Sequence, residues 1–140
     1  IGRGVFGVVV KGTYRGKPVA IKKAKGDLPM HPNVTEAWRR EAITHFAIRH
    51  PNLVEVIAYS VGDAKHSPSL VMPLIEGSLY DHLADGHQYD FTEAFRISRD
   101  VTEGLNYLHQ LNIVHHDLKS TNVLIDTDLR VMVSDFGVAR

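Results

Sequence analysis

Three side chains near the end of this 140-residue sequence could act on one substrate. They are Asp117 and Asn122, in His115-His116-Asp117-Leu118-Lys119-Ser120-Thr121-Asn122, and Asp135, in Asp135-Phe136-Gly137. Two carboxylates and an amide in this order can serve a magnesium-bound phosphate. One acid receives a hydroxyl proton, while the amide and the other acid hold the metal. Each piece is common by itself, but the ordered set is rare by chance.

A phosphate must then be held nearby, and the N-terminal glycines could do it. Gly2-Arg3-Gly4-Val5-Phe6-Gly7 lets backbone approach a phosphate closely, and Phe6 at the tip could shield it from water. The same spacing occurs in dinucleotide-binding folds and in ordinary glycine-rich turns. The dinucleotide fingerprint must open a helix, whereas Val8-Val9-Val10 is β-branched and leads into a hairpin. No Gly-Lys-Ser/Thr follows, which excludes a P-loop. Lys22 ends the run Val19-Ala20-Ile21-Lys22. A lysine at a strand end is most often solvated. A strand paired with the glycine loop, however, can aim Lys22 at the α- and β-phosphates, with Ala20 small enough to admit an adenine ring. Glu41 on the following helix is the natural acidic partner, against the plainer reading of an exposed helical charge.

The elements that must position these residues follow from pattern. Val8 to Val10 and Val19 to Ile21 are short β-rich runs joined by a turn in Tyr14-Arg15-Gly16-Lys17-Pro18, which predicts a hairpin. Lys25 to Val34 reads as a loop, Thr35 as an N-cap, and Glu36 to Ile48 as a helix, ended before Pro51 because a residue preceding proline leaves the α region. Leu53 to Val61 and Leu70 to Met72 read as strands. After Glu76-Gly77 the pattern turns helical. Ser78 caps a short helix through Leu83, and a longer one runs from about Thr92 to Leu111 with Ile97, Val101, Leu105 and Leu108 on one face. Val123 to Ile125 and Val131 to Val133 flank a polar turn at Asp126 to Asp128. The plan is α+β and two-lobed, with its seam near residues 72 to 78.

Composition narrows the classes of function. Sixteen basic and sixteen acidic residues leave no formal net charge, which argues against a nucleic-acid or membrane-surface protein. There is no cysteine, so disulfides and thiolate metal sites are excluded, in keeping with a reducing compartment. No apolar run approaches the about 18 residues needed to span a bilayer. The nine histidines do not suggest zinc, because adjacent His115 and His116 cannot easily turn both rings to one ion and the others are scattered. The chain starts at Ile1 and stops at Arg140, and a fragment is expected.

Together these residues resemble the protein kinase family over the whole chain: the glycine loop, Val19-Ala20-Ile21-Lys22, the helix glutamate, the His-x-Asp loop and Asp-Phe-Gly stand in the family's order. The resemblance implies a truncated protein-kinase-like fold, with an N-lobe over 1–73 and part of a C-lobe over 74–140. It implies ATP and Mg2+ as cofactors and a protein substrate. Asp117 resembles the catalytic base, Lys119 the lysine that steadies the γ-phosphate, and Lys22 and Glu41 the supporting pair. Asn122 and Asp135 look like the magnesium ligands. Ile1, Gly2, Gly4, Phe6 and Gly7 fall in the nucleotide loop. Val9, Ala20 and Leu124 look like the faces of the adenine slot, Met72 like the gatekeeper, and Leu74 like the hinge contact. The hinge, Pro73 to Gly77, is about a residue shorter than the family's. Asp117-Leu118-Lys119-Ser120-Thr121-Asn122 resembles the tyrosine-kinase-like group, which acts mainly on serine and threonine. A cytoplasmic location, or the cytoplasmic side of a membrane receptor, is the expected setting.

Two positions depart from the family's pattern. His116 replaces an arginine that in many kinases pairs with an activation-loop phosphate. Imidazole lacks both the permanent charge and the bidentate fork of guanidinium, so activity independent of activation-loop phosphorylation is one expectation and a tolerated substitution the other. His45 stands where the family's hydrophobic spine has Leu or Met, and a packed core histidine is expected there. The rival from another class is a pseudokinase scaffold, which the retained Lys22, Asp117, Asn122 and Asp135 oppose. The activation segment would lie beyond residue 140, and these 140 residues alone are expected to be inactive.

Overall fold

A computed structural model describes residues 2–4, 7–24, 32–62 and 66–136. Ile1, Phe6 and Gly137 lie outside the described residues. The chain divides into two compact units, Ile1–Arg49 with Glu55–Leu74 and His50–Val54 with Ile75–Arg140.

The first unit is a five-stranded antiparallel sheet with one helix. Strands β1 (Gly2–Gly4), β2 (Gly7–Tyr14), β3 (Lys17–Ala24), β4 (Ala58–Ser60) and β5 (Ser69–Pro73) lie in the order β1-β2-β3-β5-β4. The hairpin expected from the valine runs is present. Its loop is only Arg15-Gly16, with φ of 50° and 77°, the two positive dihedrals that match the strands' twist. Helix α1 (Pro32–Ala47) buries Trp38, Ala42 and His45 at i, i+4 and i+7. Trp38 and Ala42 pack with Ala24, Val56 and Leu70, and Met72 lies against them.

Two boundaries differ from the sequence reading. Helix α1 starts at Pro32, so Thr35 lies inside the helix and does not cap it. Proline fits the first helical turn, where its missing N–H has no intrahelical partner to lose. The run Leu53 to Val61 is not one strand. Only Ala58–Ser60 joins the sheet, while Leu53 forms an isolated parallel bridge to Val133, Val54 N–H donates to Val133 and Val133 N–H to Asn52. An apolar run signals burial without saying which partner buries it.

The second unit contains β6 (Gly77–Ser78), α2 (Leu79–Ala84), α3 (Phe91–Gln110), β7 (Val123–Ile125) and β8 (Val131–Val133). Both helices open with reciprocal capping boxes, Ser78 with Asp81 and Asp90 with Glu93, so side chains satisfy otherwise orphaned N–H groups. Helix α3 buries Ile97, Gly104 and Leu108, and Ile97 packs with Val123, Ile125 and Val131. Strand β6, unforeseen in the sequence, pairs Ser78 with Leu124 and makes the β7–β8 hairpin three-stranded. The segment 50–54 is tied in closely. His50 stacks on Tyr107 with centroids 4.9 Å apart, and Asn52 Nδ2 donates to the Val131 carbonyl at 3.0 Å. At Gly104 a Cβ would come within 2.7 Å of the Asn52 carbonyl oxygen, which is why a helix interior tolerates glycine here.

Candidate active site

In the second unit, a closed circuit of hydrogen bonds holds Asp117 and Asn122 through His115 and Ser134, and Asp135 follows Ser134 in the chain. The Asp117 N–H donates to His115 Nδ1 at 3.2 Å, and His115 Nε2 meets the Ser134 carbonyl at 2.8 Å. An accepting Nδ1 leaves the proton on Nε2, so the network assigns His115 the Nε2–H tautomer. Ser134 N–H donates to the Asn122 carbonyl at 2.8 Å, and Asn122 Nδ2 returns to the Asp117 carbonyl at 2.8 Å and its Oδ2 at 3.3 Å. Committing Nδ2 to Asp117 fixes the amide's orientation and leaves its oxygen as the atom able to meet a cation. Asn122 and His115 are 5% and 3% exposed, which stiffens the circuit; the His115 ring lies edge-on to buried Phe136.

Lys119 Nζ lies 2.7 Å from Asp117 Oδ2. That hydrogen bond holds the Asp117 carboxyl below the usual carboxylate range, against partial desolvation and with further help from Asn122. Both His116 and Asp135 are left-handed, with φ of 60° and 61°. Non-glycine residues pay for this conformation in strain, and such positions cluster at functional sites. His116 is exposed, in keeping with a ring that no buried contact demands. Two oxygen donors, the Asn122 amide and the Asp135 carboxylate, suit a hard cation such as Mg2+.

The first unit carries Val9, Ala20, Lys22 and Met72, four of the residues expected to meet the nucleotide. Directly opposed residues share a sheet face, and the register pairs Val9 with Lys22 and Ala20 with Met72. Side chains two apart on a strand also share a face, so Val9, Ala20, Lys22 and Met72 all project from one side. Lys22 is 7% exposed. Gly4 opposes Gly7 in the β1–β2 pairing, with Gly2 opposite Val9. Glu41 lies on α1, but its side chain falls outside the described residues. Leu74 is half-buried at the end of the first unit, and Leu124 is half-buried on β7 of the second.

Sequence reasoning missed Ser134. A serine before Asp135 shows no periodicity and no motif letter, and its importance comes from contacts 12 and 19 residues away.

The chain belongs to the protein kinase domain family, whose profile matches residues 1–140. A probable serine/threonine-protein kinase of Dictyostelium discoideum, kinX, is 39% identical over 100% of this chain and 13% of its own length. Serine/threonine-protein kinase STY17 of Arabidopsis thaliana is 36% identical over 98% of this chain and 24% of its own. Receptor protein kinase WSS1 of Oryza sativa subsp. japonica is 37% identical over 100% of this chain and 16% of its own. The chain therefore spans a quarter or less of the length of these relatives. No helix among the described residues is long and apolar enough to cross a membrane.

Proposed function

We propose that the protein carrying this chain transfers the γ-phosphate of ATP to a serine or threonine hydroxyl of a protein substrate. The observation that carries the reading is the hydrogen-bonded circuit holding Asp117 and Asn122, with Lys119 on the Asp117 carboxylate. Asp117, ionised at neutral pH, orients the acceptor hydroxyl and takes its proton. Lys119 bridges that carboxylate and the transferring phosphoryl group. Lys22, supported by Glu41, holds the α- and β-phosphates. The family resemblance assigns Gly2, Gly4 and Gly7, with Ile1 and Phe6, to the phosphates, and Val9, Ala20 and Leu124, with Met72 and Leu74, to the adenine. Asn122 and Asp135 would hold magnesium, which supplies charge neutralisation on the phosphates. Because little covalent chemistry falls to the protein, positioning and electrostatics supply most of the rate.

In this reading residues 1–73 form the N-lobe and 74–140 the first part of the C-lobe. The serine/threonine-protein kinase relatives support serine or threonine as the acceptor, and the run Asp117-Leu118-Lys119-Ser120-Thr121-Asn122 supports the tyrosine-kinase-like group. The setting is the cytoplasm or the cytoplasmic side of a receptor. The test is Asp117→Asn in the full-length protein. Peptide phosphorylation should fall by roughly 10²- to 10⁴-fold, the usual worth of a general base, while ATP binding persists. Phosphorylation untouched by this change would remove Asp117 from its role as base, whereas Mg-ATP binding without phosphate transfer by the full-length protein, unaltered by Asp117→Asn, would favour a nucleotide-binding scaffold.

A further inference from the structure

Ser134 closes the circuit from a position outside every motif that identified the site. Its N–H donates to the Asn122 carbonyl at 2.8 Å, and its carbonyl accepts from His115 Nε2 at 2.8 Å. Any residue other than proline could make those two backbone bonds. A serine adds a third, from Oγ to the same Asn122 carbonyl at 3.2 Å. A carbonyl has two lone pairs and can accept both donors. Asn122 is thereby gripped at both ends, its carbonyl by Ser134 and its side-chain amide by Asp117. The residue after Ser134 is Asp135, in the left-handed conformation at φ 61°. A shift of Ser134 relative to Asn122 is therefore a shift between the two oxygen donors.

We infer that the Ser134 hydroxyl is a positioning group that sets the spacing of Asn122 and Asp135, and so the affinity of the pair for a divalent cation. The inference rests on the assignment of those two residues to the metal in the proposed function. At 3.2 Å the bond is longer than the best O–H···O contacts, so its loss should weaken cation binding by about threefold, within the range for one neutral hydrogen bond.

The test is Mn2+ binding to the full-length protein with a non-hydrolysable ATP analogue, followed by electron paramagnetic resonance, with the thermal midpoint recorded for each variant. Ser134→Ala should raise the Mn2+ Kd about threefold, and Ser134→Thr, which keeps the hydroxyl, should restore it. Ser134→Cys, close in size and a poor donor, should behave as alanine does and covers the case in which the alanine variant does not fold. A lowered midpoint with unchanged Mn2+ Kd in the alanine or cysteine variant shows a merely structural serine and overturns the inference. Asp135→Asn separates this from the larger assignment: if it too leaves Mn2+ binding intact, the metal site itself is misplaced and the inference falls with it. Loss of binding in Asp135→Asn beside a wild-type Ser134→Ala removes the serine's role alone.

Discussion

The Asp117 carboxyl is held below its ordinary pKa first by Lys119, whose ammonium hydrogen-bonds the carboxylate at 2.7 Å. A carboxyl whose folded pKa is lowered stays charged as pH falls through the ordinary carboxylate range and is protonated only below it. Whatever depends on the charge is present above that point and lost beneath it. Removing Lys119 raises the pKa of Asp117 back toward the ordinary value. In the full-length protein Lys119→Met should therefore lower turnover and also move the acid limb of the kcat–pH profile to higher pH. A lower kcat with an unmoved acid limb would show that Lys119 acts on the phosphate alone. The motif letters singled out Asp117 and Lys119 together. Their ion pair is local, but the bond from His115 to Ser134 and the grip of Ser134 on the Asn122 carbonyl join residues 19 and 12 positions apart, and no residue type encodes that by itself.

Among the elements, α3 is the one whose chemistry could be read most fully from its letters. The residues of its apolar face recur every three or four positions, so local sequence decides it, although the Asp90–Glu93 capping box was not read from the letters. Asp90 accepts from the Glu93 N–H at 2.8 Å, and Asp90→Ala should cost about 1 kcal/mol of stability, measured as a lower denaturation midpoint. Gly104 is different. In an isolated helix Gly→Ala gains up to about 1 kcal/mol, yet here the added Cβ would meet the Asn52 carbonyl oxygen at 2.7 Å. Backbone cannot step aside as a flexible side chain can, so overpacking of about 1–3 kcal/mol should prevail. Gly104→Ala is expected to lower the urea midpoint of the full-length protein; a raised midpoint would mean that segment 50–54 yields easily. The start of α1 and the break-up of Leu53 to Val61 were not legible, because proline reads as a breaker whether it opens a helix or ends one, and because an apolar run names no partner.

At the scale of the whole molecule the open matter is how activity is switched. His116 is exposed and left-handed, without the fixed charge that would pair with a phosphate. In the proposed kinase, phosphatase treatment should leave turnover largely intact, and His116→Arg should leave the unphosphorylated enzyme's activity unchanged or lower. Abolished turnover after dephosphorylation, or a large gain from arginine, would show that a phosphate-dependent switch operates here. Membership of the protein kinase domain family, the α+β class and the order of the motifs were settled by the sequence itself, since glycine turns, β-branched runs and short motifs are chemistry among near neighbours. Tertiary structure alone decided that residues 50–54 join the second unit, that Gly77–Ser78 become a strand beside β7, and that Ser134 knots Asn122 to His115. Those outcomes turn on hydrogen bonds between residues as far as 79 positions apart. Which distant donor meets which acceptor is chosen by the packing of the whole unit, and it leaves no period in the sequence.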